Sequence, residues 1–188
     1  MQLGFYIDQS RCINCHTCAV ACKDWHNIPA GSVNWRWVVS VEQGKYPRVF
    51  VAFFALSCLH CAKPACIPAC PVGAITKRQA DGIVLVDRDA CLGKEDCGLC
   101  REACPYKAPQ FATDGEAKMQ MCHLCADRWQ EGRKPVCVEA CPMRALDAGP
   151  LDKLEARYGM LKQVPGFVYA AESRPSVVFK ARQPELLQ

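Results

Sequence analysis

The sequence predicts an α+β fold of short strands, short helices and long loops, organised around bound metal–sulfur groups more than around a thick hydrophobic core. Cysteine supplies sixteen of 188 residues, about 8.5%, within the range of scaffolds stapled by disulfides or metals. The sixteen fall into four groups of four with recurring spacing. Bulky apolar residues are few: seven Phe, five Tyr and four Trp, although 51% of the chain counts as hydrophobic when cysteine is included. A chain this size fits one domain or two small fused ones.

Taken in order, GFYIDQSRC (4–12) is a glycine, an apolar run of strand length and then Asp-x3-Cys. GIVLVDRDAC (82–91) repeats that design. VFVAFFAL (49–56) is the longest apolar stretch; it is strand-sized, and no run approaches the ~18 residues of a membrane span. LDKLEARYG (151–159) sets Leu151, Leu154 and Tyr158 on one helical face, with Gly159 at the C-terminal cap, which predicts a small docking helix. PSVVFK (175–180) predicts a last strand, and ARQPELLQ (181–188) a flexible or partner-bound tail. NWRWVV (34–39) suits equally a partner surface rich in Trp and Arg or an insertion packed on the core.

The first quartet is Cys12, Cys15, Cys18 and Cys22, spaced x2, x2, x3. The second is Cys58, Cys61, Cys66 and Cys70, spaced x2, x4, x3 and followed by Pro71. The third is Cys91, Cys97, Cys100 and Cys104, spaced x5, x2, x3 and followed by Pro105. The fourth is Cys122, Cys125, Cys137 and Cys141, spaced x2, x11, x3 and followed by Pro142. A C-x2-C-x2-C loop wraps its backbone round one corner of an iron–sulfur cubane, brings thiolates to three irons and aims amides at the sulfurs. The fourth cysteine reaches a neighbouring cluster, and the proline after it fixes the chain direction. A strand feeding such a loop, then a short helical turn after Cys-Pro, is the layout of half a bacterial ferredoxin; this chain holds two such pairs. Structural zinc normally takes two C-x2-C pairs per ion, and secreted disulfide scaffolds also carry many cysteines. Four thiols within eleven residues, as in the first quartet, suit a cubane better than either.

The order of the quartets, with the x4 gap in the second and the x11 gap in the last, resembles the four-cluster ferredoxin-like electron-transfer subunit of the dimethyl sulfoxide reductase family of molybdenum and tungsten oxidoreductases. The likeness runs from GFYIDQSRCINCHTCAVACKDWHN (4–27) to CVEACPMRALDAGPLDKLEARYG (137–159). It implies four [4Fe–4S] clusters: one on Cys12, Cys15, Cys18 and Cys141; a second on Cys58, Cys61, Cys66 and Cys104; a third on Cys91, Cys97, Cys100 and Cys70; a fourth on Cys122, Cys125, Cys137 and Cys22. Two ferredoxin-like modules follow, one from 1–57 with 111–150 and one from 58–110, with 151–188 as a docking helix, strand and tail. Some relatives have tryptophan for one cysteine of the third quartet and hold a three-iron cluster; here Cys97 is present. The departure is Lys94-Glu95-Asp96, inserted after Gly93; these charged residues predict an outward bulge that removes no thiolate.

His16, His60 and His123 sit inside C-x2-C spacers, but each quartet already has four thiols, so they are expected to pack or support. Lys23, Arg101 and Arg144 are expected to be solvated surface charges. No G-x-G-x-x-G and no nucleophile–base pair stands out, so the chain reads as an electron conduit with no substrate site of its own. A formal charge of +4, scattered along the chain, argues against nucleic acid. Four oxidised clusters at about −2 each would bring the loaded protein near −4. Without them the ligand loops are unfilled, and the apo chain is expected to be largely unfolded.

The resemblance further implies a large catalytic subunit with a molybdopterin cofactor at one end and a quinol-linked membrane anchor or a soluble donor at the other. The first residues, MQLGFYIDQSRC, show no signal-like core and no twin arginine, so export would be as passenger of a twin-arginine-bearing partner to the outer, periplasmic face; a cytoplasmic complex is the alternative. A formate dehydrogenase or hydrogenase complex, with electrons flowing the other way, is the competing function, and a structural zinc or disulfide module the non-redox one.

Overall fold

The computed structural model describes residues 1–113 and 117–183. Its elements are β1 (Leu3–Asp8), α1 (Thr17–Trp25), β2 (Arg36–Lys45), β3 (Arg48–Ser57), β4 (Ile75–Lys77), β5 (Val84–Val86), α2 (Leu99–Ala103), α3 (Ala126–Gln130), α4 (Val136–Glu139), β6 (Leu146–Pro150), α5 (Leu151–Tyr158) and β7 (Val177–Lys180). No helix among the described residues is long and apolar enough to cross a membrane.

β1 is buried along its whole length because it is the middle strand of three, in the order β6-β1-β7. It runs antiparallel to β6 and parallel to β7. Gly4 is required here: a Cβ at this position would lie 2.4 Å from the Ser176 carbonyl oxygen. β4 and β5 form a separate antiparallel pair. The strand that enters the first quartet therefore pairs with the strand that leaves the fourth. Likewise the strand entering the third quartet, β5, pairs with β4, which leaves the second. That arrangement is the ferredoxin-like α+β layout expected from the repeats.

β2 and β3 make a long hairpin from Arg36↔Ser57 to Lys45↔Arg48. Its distal half is exposed, while Ala52, Phe54, Ala55 and Leu56 enter the core. Phe54 meets Phe167 and Phe179 edge-on with ring centroids 6.3 and 6.0 Å apart, so the hairpin, the 160s loop and β7 close one apolar layer.

The helical turns differ from expectation in one respect. Cys-Pro is followed by a tight turn and then, after the second and fourth quartets, a strand. The helical turns lie earlier, between the third and fourth cysteines: α1 carries Cys18 and Cys22, α2 precedes Cys104, and α4 carries Cys137 and leads to Cys141. The reason is the proline, which has no N–H to continue a helix. In the first quartet Lys23 takes that place, and α1 runs on to Trp25.

α5 docks as the sequence predicts. Leu154 is buried with Tyr6 and Val178, Leu151 and Tyr158 border them, and Gly159 ends the helix at φ 90°. Tyr158 stacks on Tyr6 with centroids 3.7 Å apart and donates to Asp147 Oδ2 at 2.8 Å. β7 matches the predicted last strand; of the expected tail, residues 184–188 lie outside the described residues. Because α5 packs on the sheet face away from the cysteines, Leu154→Ala should cost about 2–5 kcal/mol and lower the thermal midpoint of the loaded protein. Its visible cluster absorbance at room temperature should stay at the wild-type value.

Candidate metal centres

The four ligand loops share a backbone feature that the sequence does not display. The residue two past each first cysteine has positive φ: Asn14 (61°), His60 (43°), Gly93 (98°) and Leu124 (56°). Three of these are not glycine, and each costs about 1–2 kcal/mol in this conformation. The gain is direction. The turned amide of Leu124 donates to Cys122 Sγ at 3.3 Å, and the amides of Asn14 and His60 point in the same way at Cys12 and Cys58. A second repeat comes three residues past the fourth cysteine, where Gly73, Lys107 and Arg144 have φ of 65°, 51° and 51°. There the next amide turns inward too: Ala145 N–H donates to Cys141 Sγ at 3.3 Å.

These loops gather thiols from distant parts of the chain. Cys12, Cys15, Cys18 and Cys141 line one small cavity with Ile7, Val38 and Ala55. Cys58, Cys61, Cys66 and Cys104 line another with Val84 and Met121. Cys70, Cys91, Cys97 and Cys100 line a third with Phe111 and Met119. Cys22 feels the charge of Cys122, Cys137 and Cys125, which groups the remaining four. All sixteen cysteines are free of disulfides. Among the described residues, no three Cys, His, Asp or Glu converge on one metal-ion position. Thiols spaced around a cavity, with amides aimed at the sulfur, fit a multi-iron cluster and not a single tetrahedral ion.

Burial sets the state of these thiols. It pushes Cys18 and Cys100 up to about 11, and Cys61, Cys66 and Cys125 up to about 12. Cys22 and Cys58 are raised by the same desolvation. Exposed Cys15 goes the other way, because the Thr17 hydroxyl and the Thr17 amide donate to it. A buried thiol left alone keeps its proton, so iron must displace that proton when it binds.

Of the spacer histidines, His60 is fully buried, and its Nδ1 accepts the Val84 N–H at 3.0 Å. His16 is exposed at the start of α1, and His123 packs edge-on against His26. Lys23 reaches the Pro29 and Gly31 carbonyls, while Arg101 and Arg144 are exposed, in keeping with solvated surface charge. NWRWVV is packed inward: Trp35 donates to Gln120 Oε1 at 3.1 Å and stacks on His26. Sequence reasoning missed His26, whose Nε2 lies 3.3 Å from Cys125 Sγ, because it falls outside every spacer. Burial, then His123, depress its pKa to about 4. It also missed Arg36, fully buried within NWRWVV, whose one signal was an arginine embedded in an apolar run. A guanidinium buried with unmet donors costs several kcal/mol, on the order of 3–5, unless a negative group lies nearby.

Lys94, Glu95 and Asp96 form an exposed turn, as their charges predict. Gly93 at φ 98° lets the chain leave outward, and the turn is held by Lys94 N–H to the Ala117 carbonyl at 3.0 Å and Cys97 N–H to the Gly93 carbonyl at 3.1 Å. Lys118 Nζ and the Met119 amide supply the Cys91 carbonyl and sulfur from across the loop.

Loops, cavities and pairing of strands between quartets define a ferredoxin-like iron–sulfur protein. Comparison with known proteins agrees: the model of the 4Fe-4S dicluster domain matches residues 49–151. The sequence is 42% identical to one chain of the anaerobic dimethyl sulfoxide reductase of Escherichia coli K12, over 95% of its own length and 88% of that relative. It is 39% identical to the formate dehydrogenase iron-sulfur subunit of Wolinella succinogenes (81% and 84%), and 39% identical to a subunit of the sulfite dehydrogenase of Allochromatium vinosum (77% and 67%). This protein belongs to the family of iron–sulfur subunits of dimethyl sulfoxide reductase-type enzymes. It carries [4Fe–4S] clusters and transfers electrons; it is not a catalytic subunit.

Since the 94–96 turn faces solvent and holds no sulfur, its deletion should leave the iron content per chain unchanged. Loss of about four irons in that variant, measured by iron analysis, would show that the turn is structural.

Proposed function

We propose that this chain is a relay of four [4Fe–4S] centres between a quinol-linked membrane anchor, or a soluble donor, and a large molybdopterin-containing catalytic subunit. The observation that carries the reading is the lining of the three cavities, each with three thiols of one quartet and the last thiol of another. On this reading the ligand sets are Cys12, Cys15, Cys18 and Cys141; Cys58, Cys61, Cys66 and Cys104; Cys91, Cys97, Cys100 and Cys70; and Cys122, Cys125, Cys137 and Cys22. When bound, each group would take up and release one electron without making or breaking a bond to substrate.

The protein's own contribution is geometric. One helical turn separates the third and fourth cysteines of a quartet, so Cys18 and Cys22 lie one turn apart on α1 and serve neighbouring centres. The pairing of β1 with β6 and of β5 with β4 supports two modules, 1–57 with 111–150 and 58–110, with α5 and β7 of the 151–188 segment docked on the first. Two centres have apolar side chains exposed beside them, Ile13 and Met143 at the Cys12–Cys141 set, and Val72 and Leu92 at the Cys70–Cys91 set. Such faces suit the two ends of a relay that docks partners. The protein would sit peripheral to a membrane as passenger of an exported partner, with a cytoplasmic complex as the alternative.

A formate dehydrogenase or hydrogenase complex is the second reading, favoured by the likeness to the Wolinella subunit. The large subunit that co-purifies with this protein decides between them. Analysis of the loaded protein should find about sixteen irons and about sixteen acid-labile sulfides per chain, whereas zinc without sulfide would exclude the relay. Cys141→Ser should perturb the same paramagnetic signal as Cys12→Ser and leave that of Cys122→Ser unaltered. Stripping iron with a chelator and oxidant should abolish cooperative melting, since unfilled loops have nothing to hold their αL backbone.

A further inference from the structure

Arg36 is the largest fully buried side chain together with Arg128, and the two are treated differently by the fold. Arg128 is satisfied: its Nε donates to the Lys134 carbonyl at 2.7 Å, its guanidinium pairs with Glu139, and it lies over the Trp25 ring. Arg36 has one long bond, from Nη1 to the Ala55 carbonyl at 3.4 Å, and lies 4.3 Å above the Phe5 ring. Its Nε and second Nη have no acceptor among the described residues, and no carboxylate there pairs with it.

The groups that act on this buried charge are thiols. The cross-strand partner of Arg36, Ser57, donates its hydroxyl to the Cys58 carbonyl at 3.1 Å and also acts on Cys122. The carbonyl that Arg36 reaches belongs to Ala55, which lines the cavity of Cys12, Cys15, Cys18 and Cys141. β2, which begins at Arg36, packs on α1, which carries Cys18 and Cys22, and α1 packs in turn on α4, which carries Cys137. Burial opposes the charge on Arg36, whereas Cys137, Cys122, Cys18 and Cys22, once they are thiolates, favour it. Three of those four thiols belong to the Cys22–Cys122–Cys125–Cys137 set.

We propose that Arg36 is a fixed counter-charge built into the relay, whose orphaned N–H donors face the centre held by Cys22, Cys122, Cys125 and Cys137 and raise its reduction potential above that of a neutral isostere. One-electron reduction takes such a centre from a formal charge of about −2 to about −3 with no proton gained, so a nearby cation stabilises the reduced form more than the oxidised one. The neighbouring Cys12–Cys141 centre, from which Cys18 acts on Arg36, shifts less. The inference rests on the cysteine sets proposed above.

The test is a set of variants of the cluster-loaded protein, each titrated with dithionite while the paramagnetic signals and iron content are followed. Cys22→Ser and Cys122→Ser first identify the signal. If they alter two different signals, the cysteine set is wrong whatever Arg36 does. In Arg36→Met, the reduced-to-oxidised ratio of that one signal at fixed ambient potential should fall about tenfold, equivalent to about 59 mV for one electron, with iron content retained. Arg36→Lys keeps the charge and should recover most of the shift. Unchanged midpoints in a fully loaded Arg36→Met protein overturn the proposal. If Arg36→Met instead loses iron, retention in Arg36→Lys supports the counter-charge, and equal loss in both assigns Arg36 to packing alone and overturns it.

Discussion

Buried sulfur is the constraint on which the rest of the structure depends. The fold places most of its sixteen thiols out of water, pairs none of them as disulfides, and lines three small cavities with four of them each. In that setting a free thiolate is disfavoured by desolvation, and only a positively charged iron core lets the sulfur give up its proton. Folding and cofactor binding are therefore one event in energetic terms, and the short strands and helices are sized to deliver sulfur more than to build a core.

Local geometry follows from the same demand. Residues such as Asn14, His60 and Leu124 accept a left-handed backbone because the resulting amide direction is worth more than the strain. A single helical turn recurs between the third and fourth cysteine because it is the shortest regular step from one site to the next. The prolines at 71, 105 and 142 then stop that turn and release the chain, whereas Lys23 lets α1 continue and form the wall against which β2 and α4 pack. Strand pairing joins the entry to one quartet with the exit from another, which sets Cys141 beside Cys12, Cys15 and Cys18, and Cys70 beside Cys91, Cys97 and Cys100.

The electrostatics are divided between surface and interior. Lys107–Glu102 and Arg133–Glu131 are exposed pairs, worth little in water. Inside, Arg128 is matched to Glu139, while Arg36 meets an aromatic face and a carbonyl and has no carboxylate partner among the described residues. A cation with no carboxylate partner is tolerable in this interior because the loaded centres supply the negative charge that the amino-acid sequence, at +4, does not reveal.

The sequence by itself determined the four cysteine quartets and the class of cofactor. Cysteine spacing is a property of neighbouring residues, and the reach of a C-x2-C loop is set by the backbone alone. It likewise showed the strands at 3–8 and 177–180, the helix at 151–158 and the outward turn after Gly93, because apolar periodicity and a run of charges act locally. It misplaced the helical turns to the far side of Cys-Pro, where attention to the missing proline N–H would have moved them back. Tertiary structure alone decided that Arg36 is buried within the electrostatic reach of Cys122 and Cys137, some hundred positions away, and that His26 meets Cys125. Those contacts depend on how the hairpin and α1 pack around the thiols, and Coulomb interactions across a low-dielectric interior leave no mark on residue spacing.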